Sequence, residues 1–330
     1  MKNFCTLFDK NYLSQALVLY RSLERHAGDF TLYALCMDRI AYDFLELAGL
    51  PRLVPITGTA LETGDVLKVK ERTTHGQFCW VCQPLICLHV LDTFNVDMVT
   101  YLEADSMFFH NPEPLFAELS GYSVSLVPHR YAPKYDQSAY SGKYCVQFNS
   151  FRNNEESRAV LQYWRNCCFR YTKDKPVNFP GQTTLDEWPT MFKCAREIQH
   201  LGAGVAPWNA MQYKFEKINE ELFINGVPVI FYHYHQYARY IDGSHELGDY
   251  PLAPAVVDHI YRPFVRSLAE VEGWIQSVDP TFIYRREKSK PKTLWQIITA
   301  ALPKDLYEYL ITVKRRLSGT YNVFPENFHR

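Results

Sequence analysis

Short apolar runs alternate with segments of helical period along this chain, and that alternation restricts it to a mostly parallel α/β sheet. Residues 3–8 form a run suited to a buried strand. After the polar break Asp9–Tyr12, Leu13, Ala16, Leu17, Tyr20 and Leu23 recur at helical spacing. Residues 31–36 repeat the strand pattern, 40–50 the helical one and 53–56 the strand again. Further strands are expected at 97–102, 122–127, 144–148 and 227–235, with a helix over 154–170. In parallel sheets ligands bind beyond the carboxyl ends of the strands. That rule directs attention to Asp9, Asp38, the Glu103-Ala104-Asp105 break and the histidines closing 227–235.

Composition narrows the function classes. An apolar share of 47% over 330 residues excludes a disordered chain. A formal net charge of −1 lacks the basic excess of a nucleic-acid binder, so no nucleic acid is expected as partner. The nine cysteines, mostly inside apolar runs, read as reduced and buried thiols. Cys79 and Cys82 form a lone CxxC without the second pair a zinc site needs. Asp9 and Lys10 interrupt the first apolar stretch, so no signal-peptide core is read there. No run reaches the roughly 18 to 20 apolar residues of a spanning helix, and a cytoplasmic protein is expected.

Residues 285–318 carry nine Lys or Arg against three acids, a net of +6, which leaves −7 elsewhere. Leu294, Ile297, Ile298, Ala301 and Leu302, then Leu306, Leu310, Val313 and Leu317, fall at helical spacing within it. A basic amphipathic helix suits an anionic membrane surface; it equally suits packing on the main domain with a solvated basic face. The expected division is a domain over 1–284 and a helical tail over 285–330.

Glu103 and Asp105 flank one small residue just past a buried strand. In extended chain both side chains face one side, and two hard oxygen ligands there suit Mn²⁺ or Mg²⁺. His233 and His235, two residues apart on one strand, offer a third ligand, and Arg239 a contact for a diphosphate. Trp208, in the Gly202–Asn209 loop, either stacks on a sugar or is buried.

Four patches in this order resemble the GT-A nucleotide-sugar glycosyltransferases, most closely the retaining family 8 type, glycogenin-like and bacterial galactosyltransferase-like. They are Phe8-Asp9-Lys10-Asn11-Tyr12, Tyr101-Leu102-Glu103-Ala104-Asp105, Gln182-Thr183-Thr184-Leu185-Asp186 and His233-Tyr234-His235-Gln236-Tyr237-Ala238-Arg239. The resemblance implies a GT-A sheet with a helical C-terminal extension, and a metal-dependent, retaining transfer of a sugar from a UDP-sugar to a saccharide or glycolipid acceptor. By the same resemblance Phe8, Asp9 and Tyr12 hold the nucleotide base. Glu103, Ala104 and Asp105 meet the ribose and metal, His233 and His235 complete the metal set, and Arg239 binds phosphate. Gln182 lies near the anomeric carbon and Asp186 contacts the sugar. The chain departs from the family at Glu103 and Gly181, each in place of Asp, at Gln236 in place of Gly and at Cys145 in place of Asn. Gln83 falls near a usual basic residue, for which Lys68, Lys70 or Arg72 would compensate. The alternatives are a non-catalytic sugar- or nucleotide-binding relative on the same fold, and a sugar nucleotidyltransferase. The latter lacks a Gly-rich phosphate loop here.

Overall fold

The computed structural model describes residues 1–171, 180–282, 313, 322–325 and 328. The chain opens with β1 (Lys2–Phe8), α1 (Leu13–His26), β2 (Phe30–Cys36), α2 (Arg39–Ala48) and β3 (Leu53–Thr57). Then come α3 (Gly64–Arg72), α4 (His75–Thr93), β4 (Met98–Leu102) and the short β5 (Ser106–Phe108). β6 (Val124–Pro128), β7 (Tyr144–Cys145), β8 (Phe148–Arg152) and β9 (Ala195–Glu197) follow. The main sheet runs β3-β2-β1-β4-β8-β6-β7, with β9 beside β6. β1, β2, β3 and β4 are mutually parallel, β8 enters antiparallel to β4 and β6, and β9 runs parallel to β6. The expected α/β sheet flanked by helices is present, in mixed form.

Successive β1 residues face opposite cores. Phe4 and Phe8 pack with Leu17 and Tyr20 of α1 and with the helix Arg262–Val278. Cys5 and Leu7 pack with Val81 and Ile86 of α4 and with the helix Glu155–Cys168. Burial on both faces is why these parallel strands read as unbroken apolar runs. The helix ends are signalled locally. The Asp38 carboxylate accepts from Ala41 N–H to start α2 and from Lys10 N–H after β1. Thr74 and Gln77 form a reciprocal capping box at α4.

The chain order turns back at β1, with β2 and β3 on one side and β4 on the other. The crevice between the C-terminal ends of β1 and β4 is therefore a topological switch point. Two expected strands prove interrupted. Residues 144–148 divide into β7 and the start of β8, with Val146 and Gln147 in a turn. Residues 227–235 divide into β12 (Val227–Pro228) and β13 (Phe231–His233), after the hairpin β10 (Phe215–Ile218) and β11 (Glu221–Ile224). Apolar patterning cannot register a turn made inside the protein, where the residues stay buried on both sides of the break. β13 pairs antiparallel with β5, and His233 lies opposite Ser106. β14 (Ala238–Arg239), β15 (His245–Glu246) and β16 (Val323–Phe324) form a small antiparallel sheet.

The basic tail expected over 285–330 lies outside the described residues, apart from a few positions. Val313 is helical. Residues 323–324 are a strand and not helix, because their backbone pairs with β15. Among the described residues no helix is long and apolar enough to cross a membrane. All nine cysteines are free; Cys79 and Cys82 share α4, with Cys82 buried.

Ser22 fastens β5 to α1. Its hydroxyl donates to Leu19 O (2.7 Å) and accepts from Phe108 N–H (3.0 Å), fully buried. Ser22→Ala leaves that buried N–H without a partner and is expected to cost about 1–3 kcal/mol, read as a lower midpoint in urea unfolding.

Candidate functional site

A cavity of about 620 Å³ opens at the switch point. One end is formed by the C-terminal end of β1 and the first turn of α4: Phe8, Asp9, Tyr12, His75, Cys79 and Trp80. Its middle holds Gln83, Glu103, Ala104, Asp105, Cys145, His233 and His235. The far wall is Tyr131, Gln137, Tyr140, Trp208, Gln236 and Tyr250. Gln182 also lines it. Among the described residues its lining includes three carboxylates and four histidines, the fourth being His129, and no Lys or Arg.

Asp9 presents its carboxylate at the near end. Oδ1 accepts from Asn11 N–H (2.9 Å), Oδ2 accepts from the Asn11 amide (3.1 Å), and His75 Nε2 lies 3.3 Å from Oδ2.

At the centre, the β5–β13 register brings His233 beside Asp105. His233 Nε2 lies 3.2 Å from Asp105 Oδ1, and Tyr234 N–H donates to Asp105 O (2.8 Å). On the other side of the ring, Nδ1 faces Gln147 Oε1 at 3.1 Å, so Nδ1 carries a proton and Nε2 is the nitrogen aimed at the carboxylate. Burial opposes charge on His233, but the Asp105 carboxylate outweighs it and holds the imidazole well above its ordinary pKa. The same attraction keeps Asp105 below the usual carboxylate range despite its burial. Glu103 behaves oppositely. Burial, then repulsion from Asp105, push its carboxyl up to about 8, although Gln83 Nε2 donates to it (2.9 Å). Burial and the neighbouring His233 lower His235 to about 4, so it is neutral.

Among the described residues no three His, Cys, Asp or Glu side chains are already gathered as a metal shell. Glu103, Asp105, His233 and His235 therefore do not form a ready-made four-ligand set. Glu103 is turned to Gln83 and Tyr101, and only Asp105 and His233 are in contact. The donor chemistry still fits a hard divalent ion. A carboxylate and an imidazole whose Nδ1 is fixed by Gln147 converge, a second, buried carboxylate lies beside them, and Mg²⁺ or Mn²⁺ needs few protein ligands when water and phosphate supply the rest.

Three expected site residues are elsewhere. Both oxygens of Asp186 accept from Lys143 N–H (2.8 and 2.9 Å), latching the turn before β7, and the residue does not line the cavity. Arg72, at the end of α3, donates to Phe169 O. Arg239 pairs with Glu272 of the helix Arg262–Val278. Gln182 does reach the cavity, with Nε2 donating to Ser141 O (2.9 Å) and Oε1 accepting from Val146 N–H (3.2 Å).

The departures have physical reasons. At Gly181 a Cβ would lie 2.8 Å from Cys168 Sγ and 3.2 Å from Tyr171 Oη, and Gly181 N–H already donates to that hydroxyl (2.8 Å). There is no room for a carboxylate. Gln236 adopts φ 65°, the left-handed region a glycine would occupy, and its Oε1 accepts from Asp249 N–H (3.2 Å). Trp208 is buried, donates to His129 O (2.8 Å) and sits edge-on to His233 and His235, each 5.3 Å away. His75, His129, Tyr131, Gln137, Gln147 and Tyr250 were not singled out in the sequence. They lie in loops or at helix starts without periodicity, and only an aromatic share of 15% hinted at them.

No family model matches the chain. It is 27% identical to YfnD, an uncharacterized protein of Bacillus subtilis strain 168, over 289 residues, covering 85% of this chain and 93% of that protein. To YfnF of the same organism, also uncharacterized, it is 27% identical over 290 residues, covering 84% and 95%. Among solved structures, galactosyltransferase LgtC with donor and acceptor sugar analogs gives a TM-score of 0.48 at 10% identity, covering 81% of this chain and 95% of that one. The Streptococcus pneumoniae glycosyltransferase GlyE gives 0.47 at 13%, covering 84% and 64%. Mouse xyloside xylosyltransferase 1 gives 0.46 at 12%, covering 71% and 98%.

Two outcomes are expected. Because the folded state holds the Glu103 proton up to about pH 8 while the unfolded chain releases it near 4.5, stability is lost as pH rises between those values. Glu103→Gln, in chelator, is expected to raise the melting temperature at about pH 8 and to leave it unchanged at about pH 4. Gly181→Asp is expected to lower the melting temperature in the same assay, because the carboxylate meets Cys168 and Tyr171.

Proposed function

We propose that the protein is a metal-dependent, retaining glycosyltransferase that moves a sugar from a nucleotide diphosphate sugar, a UDP-sugar, to a saccharide acceptor. The observation that carries this reading is the Asp105–His233 contact, with Glu103 beside it, at the crevice where the sheet changes direction. The four sequence patches meet the same place through Asp9, Glu103, Asp105, Gln182 and His233.

In this reading Asp9 and Tyr12 receive the base at the β1 end, and Asp105, His233 and Glu103 would hold the divalent ion. When bound, that ion would supply Lewis-acid stabilisation of the departing diphosphate. The cavity's own charge supports the metal requirement. With three lining carboxylates and no lining Lys or Arg among the described residues, a diphosphate meets no lysine or arginine there, and the charge of His233 is taken up by Asp105. Gln182, clamped at both ends of its amide, presents a fixed dipole beside the reacting carbon. Retention is taken from the resemblance to the retaining family 8 type; Asp186, a base candidate for an inverting transfer, is engaged with backbone N–H groups.

The test is calorimetry with UDP and Mn²⁺, followed by a panel of UDP-sugars with Mn²⁺ in which sugar release or transfer is measured. EDTA or Asp105→Asn is expected to weaken UDP binding at least about 100-fold, the scale of losing one strong charged contact. Metal-independent UDP binding would overturn the metal assignment. Binding without any turnover would assign the chain to the non-catalytic alternative.

A further inference from the structure

Two residues of the far wall, Tyr250 and Gln236, depend on the loop from Leu247 to Tyr250, and that loop is held by Asn322, beside β16 and more than seventy residues further along the chain. Asn322, buried at 6% exposure, places its amide nitrogen against two backbone carbonyls, Gly248 O at 3.0 Å and Tyr250 O at 2.6 Å. An amide –NH₂ has two N–H donors, and both are used. Leu247 N–H in turn donates to Asn322 O (3.0 Å), and β15 pairs with β16 just beyond. Phe328 closes the arrangement, with its ring 5.4 Å from that of His245 and 4.8 Å from that of Phe324.

The loop so held carries the wall in two ways. Tyr250 lines the cavity, its hydroxyl accepts from Gln137 Nε2 (3.0 Å), and its ring stands edge-on to Tyr135 at 5.8 Å. Gln236, the residue with φ 65°, is held from the other side by Asp249 N–H. Gly248 makes that approach feasible. It has φ +93°, and a Cβ there would lie 3.3 Å from Gln236 Cβ and His235 O. A non-glycine residue in the left-handed region persists only where its surroundings over-determine it, and here they do so through this loop.

We propose that Asn322 is a positioning residue of the site: β16 is the strut that holds Tyr250 and Gln236 as the far wall of the cavity. The proposal rests on the reading above only in taking the cavity as the place of turnover.

The test uses the full chain and its Asn322→Ala, Tyr250→Ala and doubly substituted variants. Hydrogen exchange followed by mass spectrometry is expected to show at least tenfold faster exchange over 247–250 in Asn322→Ala, with residues 2–8 and 98–102 unchanged. Unchanged exchange at 247–250 would overturn the proposal whether or not any sugar is transferred. In UDP-galactose and UDP-glucose turnover with Mn²⁺, Asn322→Ala is expected to reduce kcat/KM about tenfold while the UDP dissociation constant stays within twofold. The double variant is expected to be no worse than Tyr250→Ala alone. Additive losses, or an equal loss of UDP affinity, would show a merely structural role and overturn it. Should Asn322→Ala not fold, Asn322→Ser, which keeps one donor, carries the same comparison. Absence of turnover in the unaltered chain counts against the glycosyltransferase reading, and the exchange experiment then decides this proposal alone.

Discussion

β5 and β13 share only three residue pairs, and the centre of the site is built on them. β5 leaves the carboxylate break directly, so wherever its partner sits is where a ligand for Asp105 arrives. Pairing His233 with Ser106 sets the imidazole one residue from Asp105 on the neighbouring chain, and Tyr234 N–H closes the backbone over Asp105 O. Ser22 holds β5 from the opposite side through the N–H that β13 does not use. A shift of one residue in this short ladder would turn His233 to the other face.

The site is electrostatically unfinished by construction. One carboxylate is satisfied by His233, while burial and repulsion from Asp105 keep the proton on the other. Buried charge is tolerated only when paired, and Glu103 responds by staying neutral. In the proposed reading, this charge favours an anion that arrives with a divalent cation over one that arrives alone. Gln147 adds direction to this, since fixing one ring nitrogen of His233 fixes what the other can bind.

Much of this was legible in the residues. The strand–helix alternation gave β1 to β4 in order with α1 and α2 between the first three, and the strand-end rule pointed at Asp9, Glu103 and Asp105 because apolar strands leave few places for a carboxylate. His233 was legible from its place at the close of an apolar run. Asp186, Arg72 and Arg239 were misplaced for one shared reason: a charged residue near a motif looks the same whether it faces a cavity or a distant backbone. Lys143 N–H, Phe169 O and Glu272 are partners that no local spacing reveals. The aromatic and amide wall was missed because Tyr131, Gln137 and Tyr250 belong to loops whose positions are set by tertiary contacts. Gln147 was hidden inside what read as one continuous strand.

The far wall also has a place in time. A ribosome releases the chain from its amino end, and domains begin to organise as they emerge. Every residue of the β1–β4 crevice, and both Asp105 and His233, are free to meet before Asn322 has been added. Tyr250 and Gln236 cannot be braced until it has. During synthesis the centre of the site can therefore assemble well ahead of the Tyr250 and Gln236 side of the wall, which takes its final shape only once Asn322 has emerged.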